Sequence, residues 1–274
     1  MTRYDFMWLL TLTLVPFAPY SISRNVQMQS SEEIVLFVDW SMDGSQLAVG
    51  FQSSRLEVFD VVTGESVLEH SVTGAIAGLQ WSPTTPSQLA VGIADVLRAT
   101  GSVEILDTST GQVQWVFDAG KPVSSVTWRP DGAQIAAACN ELFDTPLDIN
   151  EIKIWDSTTG EQTGSIPPDY PSYINEIAWS PGGDRIAGGS SDGRVFVWDA
   201  GSGAQVAEMT GHTSAILGIA WAPDNQLLGS ISFGQDNTLR IWDSGTRQEL
   251  RTLYSDFPQN IDWNGTLSEI ALRE

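Results

Sequence analysis

Basic residues are scarce in this chain. Thirteen Lys and Arg stand against 34 Asp and Glu, a net charge of −21, and only Lys121 and Lys153 are lysines. A field of that sign repels phosphate backbones, and no basic cluster overcomes it locally, so nucleic-acid partners are not expected. Many of the acids fall in turns, where Asp caps backbone N–H groups. Cys139 is the lone cysteine, which excludes an intrachain disulfide and a cysteine-based zinc site. Its setting, IAAAC, suggests a small core residue. Histidine occurs only at positions 70 and 212, too few for a multi-histidine metal centre. There is no P-loop, no dinucleotide fingerprint and no HExxH, so no cofactor is expected. The run FMWLLTLTLV near the start is too short to span a bilayer. Two readings of that segment stay open. It is a signal peptide, which makes the protein secreted or periplasmic, or the alternation LTLTLV is a strand of a cytoplasmic protein.

Tryptophan and turn residues, by contrast, are abundant and periodic. Segments FVDWSMDGSQLAVG, GLQWSPTTPSQLAVG, SVTWRPDGAQIAAA, EIAWSPGGDRIAGG and GIAWAPDNQLLGS align, with NIDWNGTLSEIAL as a weaker copy. Their tryptophans, at 40, 81, 128, 179, 221 and 263, are spaced 41, 47, 51, 42 and 42 residues apart. A second series, LEVFDVVTGE, VEILDTSTGQ, IKIWDSTTGE, VFVWDAGSGA and LRIWDSGTRQ, keeps the same register. Within each unit, short alternating runs such as TLRIW and QELRTL are broken by Asp, Gly, Asn and Pro, the signature of antiparallel strands. A four-stranded sheet with two apolar faces cannot stand alone, whereas stacked copies bury both faces. The tryptophans are therefore expected as packing between sheets. The turn sequences DTSTGQ and DSTTGE recur at one structural place and lack calcium-loop spacing.

The Trp-Asp-type dipeptides, the SPDG-type turns and the period of 40 to 50 residues resemble the WD-repeat family over about residues 34–272. The resemblance implies an all-β WD-repeat β-propeller. Inner strands are expected near 34–40, 75–81, 122–128, 174–179, 215–221 and 259–263. Five blades are complete and a sixth has two strands, so residues 1–33 are either a signal-like segment or closing strands, at about 7–15 and 22–29, for the propeller of 34–274. In well-formed blades of this family a His, a Ser or Thr, an Asp and the third-strand Trp are hydrogen bonded. His212, Ser230 or Ser232, Asp236 and Trp242 match those places. His212, Ser230 and Asp236 also mimic a hydrolase triad, but no GxSxG elbow surrounds either serine and no oxyanion hole is evident. A structural tetrad is the expectation, and no catalytic residue is assigned.

The family's interaction role then implies a non-enzymatic scaffold for a protein or peptide partner, with the charge favouring a basic one. Enlarged loops at 92–102, 140–151 and 166–174 single out Arg98, Phe143, Asp144, Tyr170 and Tyr173 as candidate contacts, joined by Phe233 and Phe257. The rival reading is an enzyme or small-ligand binder that uses an axial channel lined by Asp39, Asn175, Glu176 and Asp262.

Overall fold

The computed structural model describes residues 33–141, 150–166, 172–254, 260–263 and 270–273. The closing strands expected within 1–33 lie outside the described residues.

Strand boundaries follow the turn chemistry. The first sheet comprises β1 (Val35–Trp40), β2 (Gln46–Phe51), β3 (Arg55–Asp60) and β4 (Ser66–Ser71). The second has β5 (Ala75–Trp81), β6 (Gln88–Asp95), β7 (Thr100–Asp107) and β8 (Gln112–Asp118). The third has β9 (Val123–Trp128), β10 (Gln134–Cys139), β11 (Glu151–Asp156) and β12 (Gln162–Ile166). The fourth has β13 (Ile174–Trp179), β14 (Arg185–Ser190), β15 (Arg194–Asp199) and β16 (Gln205–Thr210). The fifth has β17 (Ile216–Trp221), β18 (Leu227–Ser232), β19 (Thr238–Asp243) and β20 (Gln248–Tyr254). A two-stranded sheet of β21 (Asn260–Trp263) and β22 (Ile270–Arg273) follows. Every pairing is between antiparallel strands, and each four-stranded sheet is a meander in chain order. The six expected inner strands are all present.

Each turn between third and fourth strands is closed by the last residue of the third strand. Asp60, Asp107, Asp156, Asp199 and Asp243 each accept backbone N–H bonds two or three residues on, for example Thr159 N to Asp156 Oδ1 at 2.7 Å. These bonds hold all five carboxyls below their usual pKa, because the N–H and hydroxyl donors favour the ionised form. Gly64, Gly111, Gly160 and Gly203 then take the left-handed conformation that ends the turn, and Arg247 takes it in the fifth sheet. The abundance of acid is in this respect a folding device.

Successive sheets meet through their inner strands. Trp81, Trp128, Trp221 and Trp263 each donate the indole N–H to the carbonyl of the residue before the preceding sheet's tryptophan. The acceptors are Asp39, Gln80, Ala178 and Ala220, at 3.0–3.1 Å. The third-strand aromatics expected beside them, Trp155, Trp198 and Trp242, are buried, as is Leu106. Cys139 is fully buried too, and its thiol is pushed up to about 12 by burial, the pKa of an inert core residue.

The inner-strand polar residues serve the same seams. Asp39 Oδ2 accepts the Trp81 N–H at 2.7 Å, and Gln80 Oε1 accepts that of Trp128. Asn175 Nδ2 donates to Ile216 O at 3.0 Å. Ser125 Oγ donates to Glu176 Oε1 at 2.9 Å and accepts from Ile177 N at 3.2 Å. Burial, opposed by the Ser125 bond, lifts the Glu176 pKa to about 7 from 4.5. Between those two values the unfolded chain has lost this proton while the folded one keeps it, so stability declines as pH rises through that window. Glu176→Gln is accordingly expected to raise the melting temperature at pH 8, with the two proteins converging below about pH 4.5. Melting curves at both pH values check this, and an equal effect at both would remove the titration as its cause.

Candidate functional site

The structure brings His212, Asp236 and Trp242 together around Ser230 rather than Ser232. Trp242 Nε1 donates to Ser230 Oγ at 2.8 Å, and Ser230 Oγ lies 2.7 Å from His212 Nε2. His212 Nδ1 is 3.1 Å from Asp236 Oδ1. Asp236 also accepts from Thr213 N and Thr238 Oγ1. Ser232 is used differently, donating to the carbonyls of Ser214 and Ala215 at 2.9 Å. Burial keeps the imidazole neutral by lowering its pKa, with Asp236 opposing in part. Burial acts against the Asp236 carboxylate, yet its donors prevail and hold its pKa low.

That protonation pattern assigns direction to the chain of bonds. With Nδ1–H donated to Asp236, Nε2 accepts the Ser230 hydroxyl proton while Ser230 accepts from the indole. The arrangement would suit an activated nucleophile but for access: Ser230 has no exposed surface and Trp242 2%. No substrate reaches the hydroxyl, and the network ties the entering loop to two strands of one sheet and the turn between them.

The fourth sheet lacks a histidine and solves the same problem with arginine. Arg194 Nη2 bonds Asp192 Oδ2 at 2.6 Å, its Nη1 reaches Glu208 Oε1 at 3.3 Å, and its guanidinium lies 5.0 Å from the Phe196 ring centroid. Burial pushes the Asp192 carboxyl upward, but the Arg194 and Ser190 bonds prevail and leave it at about 2. Sheets without the histidine therefore do not rest on aromatic packing alone. Here an ion pair does part of the work.

The candidate contact residues fare unevenly. The stretch 92–102 is not a loop. β6 and β7 pair from Gln88↔Asp107 to Asp95↔Thr100, so the second sheet carries a hairpin longer than its neighbours'. Only Val96 to Ala99 form the turn, because Asp95 accepts from Arg98 N at 3.1 Å and from Arg98 Nη1 at 2.7 Å. Arg98 is thus committed to its own turn, although its side chain stays 73% exposed. Leu97 at the tip is 99% exposed and was not singled out by sequence, because a leucine among turn residues carries no periodic signal. Tyr173 and Phe233 are 37% and 44% exposed. Each sits beside the entering loop of its own sheet: Ser191 N bonds Tyr173 O at 2.9 Å, and Ser232, next to Phe233 in the chain, bonds the Ser214 carbonyl. Phe143, Asp144, Tyr170 and Phe257 lie outside the described residues, as do most of loops 140–151 and 166–174. The base of the first is tied by Asn150 Oδ1, which accepts from Glu141 N at 2.9 Å.

Asp39, Asn175 and Glu176 are each engaged at a different seam, and the side chain of Asp262 lies outside those described. His70 sits on β4, with Nε2 3.1 Å from Glu104 Oε2 of the second sheet. Among the described residues no three His, Cys, Asp or Glu side chains group as metal ligands, and no helix is long and apolar enough to cross a membrane.

A structural tetrad makes a definite prediction. Ser230→Ala leaves the Trp242 N–H and His212 Nε2 buried without partners, at an expected cost of about 1–3 kcal/mol in urea unfolding. A loss below ~0.3 kcal/mol would show that the network does not hold this sheet.

Comparison with known proteins agrees with this architecture. The profile for the WD domain, G-beta repeat, matches residues 161–199 and 203–243. That for the anaphase-promoting complex subunit 4 WD40 domain matches residues 20–84. Anaphase-promoting complex subunit cdc20 of Dictyostelium discoideum is 25% identical, over 81% of this chain and 51% of its own length. WD repeat-containing protein 1 of Gallus gallus is 24% identical over 80% of this chain and 35% of its own. Actin-interacting protein 1 of Drosophila melanogaster is 26% identical over 80% and 34%. The chain thus spans about half or less of the length of these relatives. With the repeat series, the Trp-stacked sheets and the tetrad in place, the chain belongs to the WD-repeat family.

Proposed function

We propose that the chain is a non-enzymatic scaffold for a protein or peptide partner, and that it uses the sheet ends bearing the 96–99 turn, Tyr173 and Phe233. The observation that carries this reading is the division of labour among the side chains. The residues with catalytic potential are buried in seams and tetrad, whereas Leu97, Val96 and Phe233 expose apolar surface at one end. In an antiparallel meander, the turns joining second to third strands and those entering the first strand share that end. Exposed apolar groups on a hairpin held by its own cap need no ordering on binding, which favours affinity. The net charge of −21 favours a basic partner surface and a salt-sensitive association. The joint substitution Leu97→Asp, Tyr173→Ala and Phe233→Ala is expected to abolish capture of the partners recovered by the wild-type protein, with an unchanged melting temperature. Recovery of the same partners by this variant would refute the assignment of the face.

We further propose that the sheets close as six blades, with the N-terminal segment completing the sheet begun by β21 and β22. Support comes from the two terminal faces. On β2, Gly50 faces the second sheet, near Ile76 and Leu79, so Leu47, Val49 and Phe51 point the other way, and all three are buried. At the opposite end Ile231, Leu239 and Ile241 form a core with Ile261 of β21. Two apolar faces of this kind call for a shared sheet between them. Removal of residues 1–32 is expected to lower the melting temperature and create a dye-binding apolar surface, both reversed by adding a peptide of residues 7–29. A truncated chain as stable as the whole would refute closure by this segment.

A further inference from the structure

The repeat supplies its own controls. One position recurs in five sheets, so a residue that differs from its counterparts stands out against a known structural job. Three such departures fall on one seam, between the third and fourth sheets.

The first is the residue after the inner-strand tryptophan. Ser41, Ser82 and Ser180 cap the turn that follows, their Oγ atoms accepting from Gln46 N, Thr85 N and Arg185 N at 2.9, 3.1 and 3.1 Å. The fifth sheet has Ala222, and the third has Arg129. The second departure is the indole of Trp179, which alone among those of Trp81, Trp128, Trp179, Trp221 and Trp263 has no hydrogen-bond partner. The third lies on the fourth strand. The residues paired with Val58, Ile105, Val197 and Ile241 are Leu68, Trp115, Ala207 and Arg251. Leu68 closes over Gly111 of the next sheet and Trp115 over Gly160, each within 3.0 Å of the position a Cβ there would take. The counterpart in the third sheet, paired with Ile154, is Gly164.

With that plug missing, a cavity of about 350 Å³ opens between the two sheets, lined in part by Arg129, Gln134, Thr163, Gly164, Asp184 and Asp199. It lies at the turns joining first to second and third to fourth strands, the end opposite the proposed partner face. Arg129 Nη1 reaches Gln134 Oε1 at 3.4 Å. Its Nε is buried without a hydrogen-bond acceptor, the Asp131 carboxylate being 3.6 Å away. The side chain is 33% exposed and its guanidinium lies 5.9 Å from the Trp179 ring centroid, but Nε itself has no hydrogen-bond acceptor where other sheets carry a capping serine. Asp184 and Asp199 each use Oδ1 on their own turns, bonding Ser180 and Ser202, and bring negative charge to the cavity, with Asp184 Oδ2 3.7 Å from Arg185 Nε.

We propose that this cavity binds a small amphoteric ligand of amino-acid chemistry. Its carboxylate accepts from the Arg129 guanidinium, and its cationic group faces Asp184 and Asp199. The lining selects this class. A simple anion meets two carboxylates, and a simple cation meets the guanidinium. The volume falls in the range of small-molecule sites. A net-negative chain also draws in a ligand with net positive charge.

The test is calorimetric titration with L-arginine, with acetate and guanidinium as single-charge controls. Gly164→Leu restores the plug of the first sheet, and a Cβ at 164 meets only ordinary contacts, the nearest with Ile154 at 3.5 Å. Arg129→Ser restores the capping serine, and thermal melts report that both variants fold. L-arginine is expected to bind the wild-type chain with Kd of ~0.1–1 mM. Both variants, and both control ligands, are expected to bind at least about tenfold more weakly. Absence of L-arginine binding up to ~20 mM overturns the proposal, as does undiminished binding by the Gly164→Leu variant or acetate binding as tight as that of L-arginine.

Discussion

The contact on which this fold depends is the one between sheets: an inner-strand tryptophan buried against the preceding sheet, its N–H on that sheet's backbone carbonyl. Hydrogen bonds within a sheet are satisfied locally, but they leave two apolar faces open to water. Only a neighbouring sheet removes both from solvent. The indole does this with a large ring and at the same time satisfies its own polar atom, so burial and direction come from one side chain. Placing the acceptor one residue before the preceding tryptophan sets the register of one sheet on the last at every seam but that of Trp179. The third-strand aromatics and the small residues of the second strands then fill a space whose dimensions are already set.

Given that constraint, the polar residues sort themselves. Asp39, Gln80, Asn175 and Ser125 lie where inner strands meet, and each bonds the following strand. Asp60 and its counterparts close turns. His212, Ser230 and Asp236 lock an entering loop from inside. A chain with few basic groups and many acids is therefore not short of partners for those acids, because many of the aspartates are matched to backbone N–H donors rather than to cations. The negative field that remains is a property of the whole surface, and it biases association without forming a site.

Much of the fold was legible in the sequence because two features of each unit, the tryptophan and the Asp-Gly turn, are tied to backbone geometry and recur in register. The inner strands were placed to within one residue for this reason. The tetrad was legible only through family resemblance. Residue spacing left Ser230 and Ser232 equivalent, since residues two apart share a face of the strand; position along the strand decides, putting Ser230 within reach of His212 and Trp242 and Ser232 beside the Ser214 and Ala215 carbonyls. The 92–102 stretch was misjudged because length was taken for looseness. GIAD and TGSVEIL continue the alternation of their strands, and Asp95 closes a turn too short to be a loop. Leu97 was missed outright. Exposure of an apolar residue is a tertiary fact, and no local pattern marks it.

Arg129 is instructive in a different way, since its signal was in plain view. WRPDG stands among WSMDG, WSPTT and WSPGG, and the substitution exchanges a short capping hydroxyl for a long cation in the most ordered part of the unit. Searches for function in repeat proteins turn naturally to irregular loops, where variation is cheap and therefore weakly informative. A departure at a packed, capped position is costly, as the unsatisfied Nε shows, and it persists only where something offsets that cost. Gly164 on the fourth strand of the same sheet removes the side chain that would close the same space, so two substitutions distant in sequence act on one cavity. In a fold whose regular positions are this tightly determined, coincident exceptions at one seam carry more functional information than any single long loop.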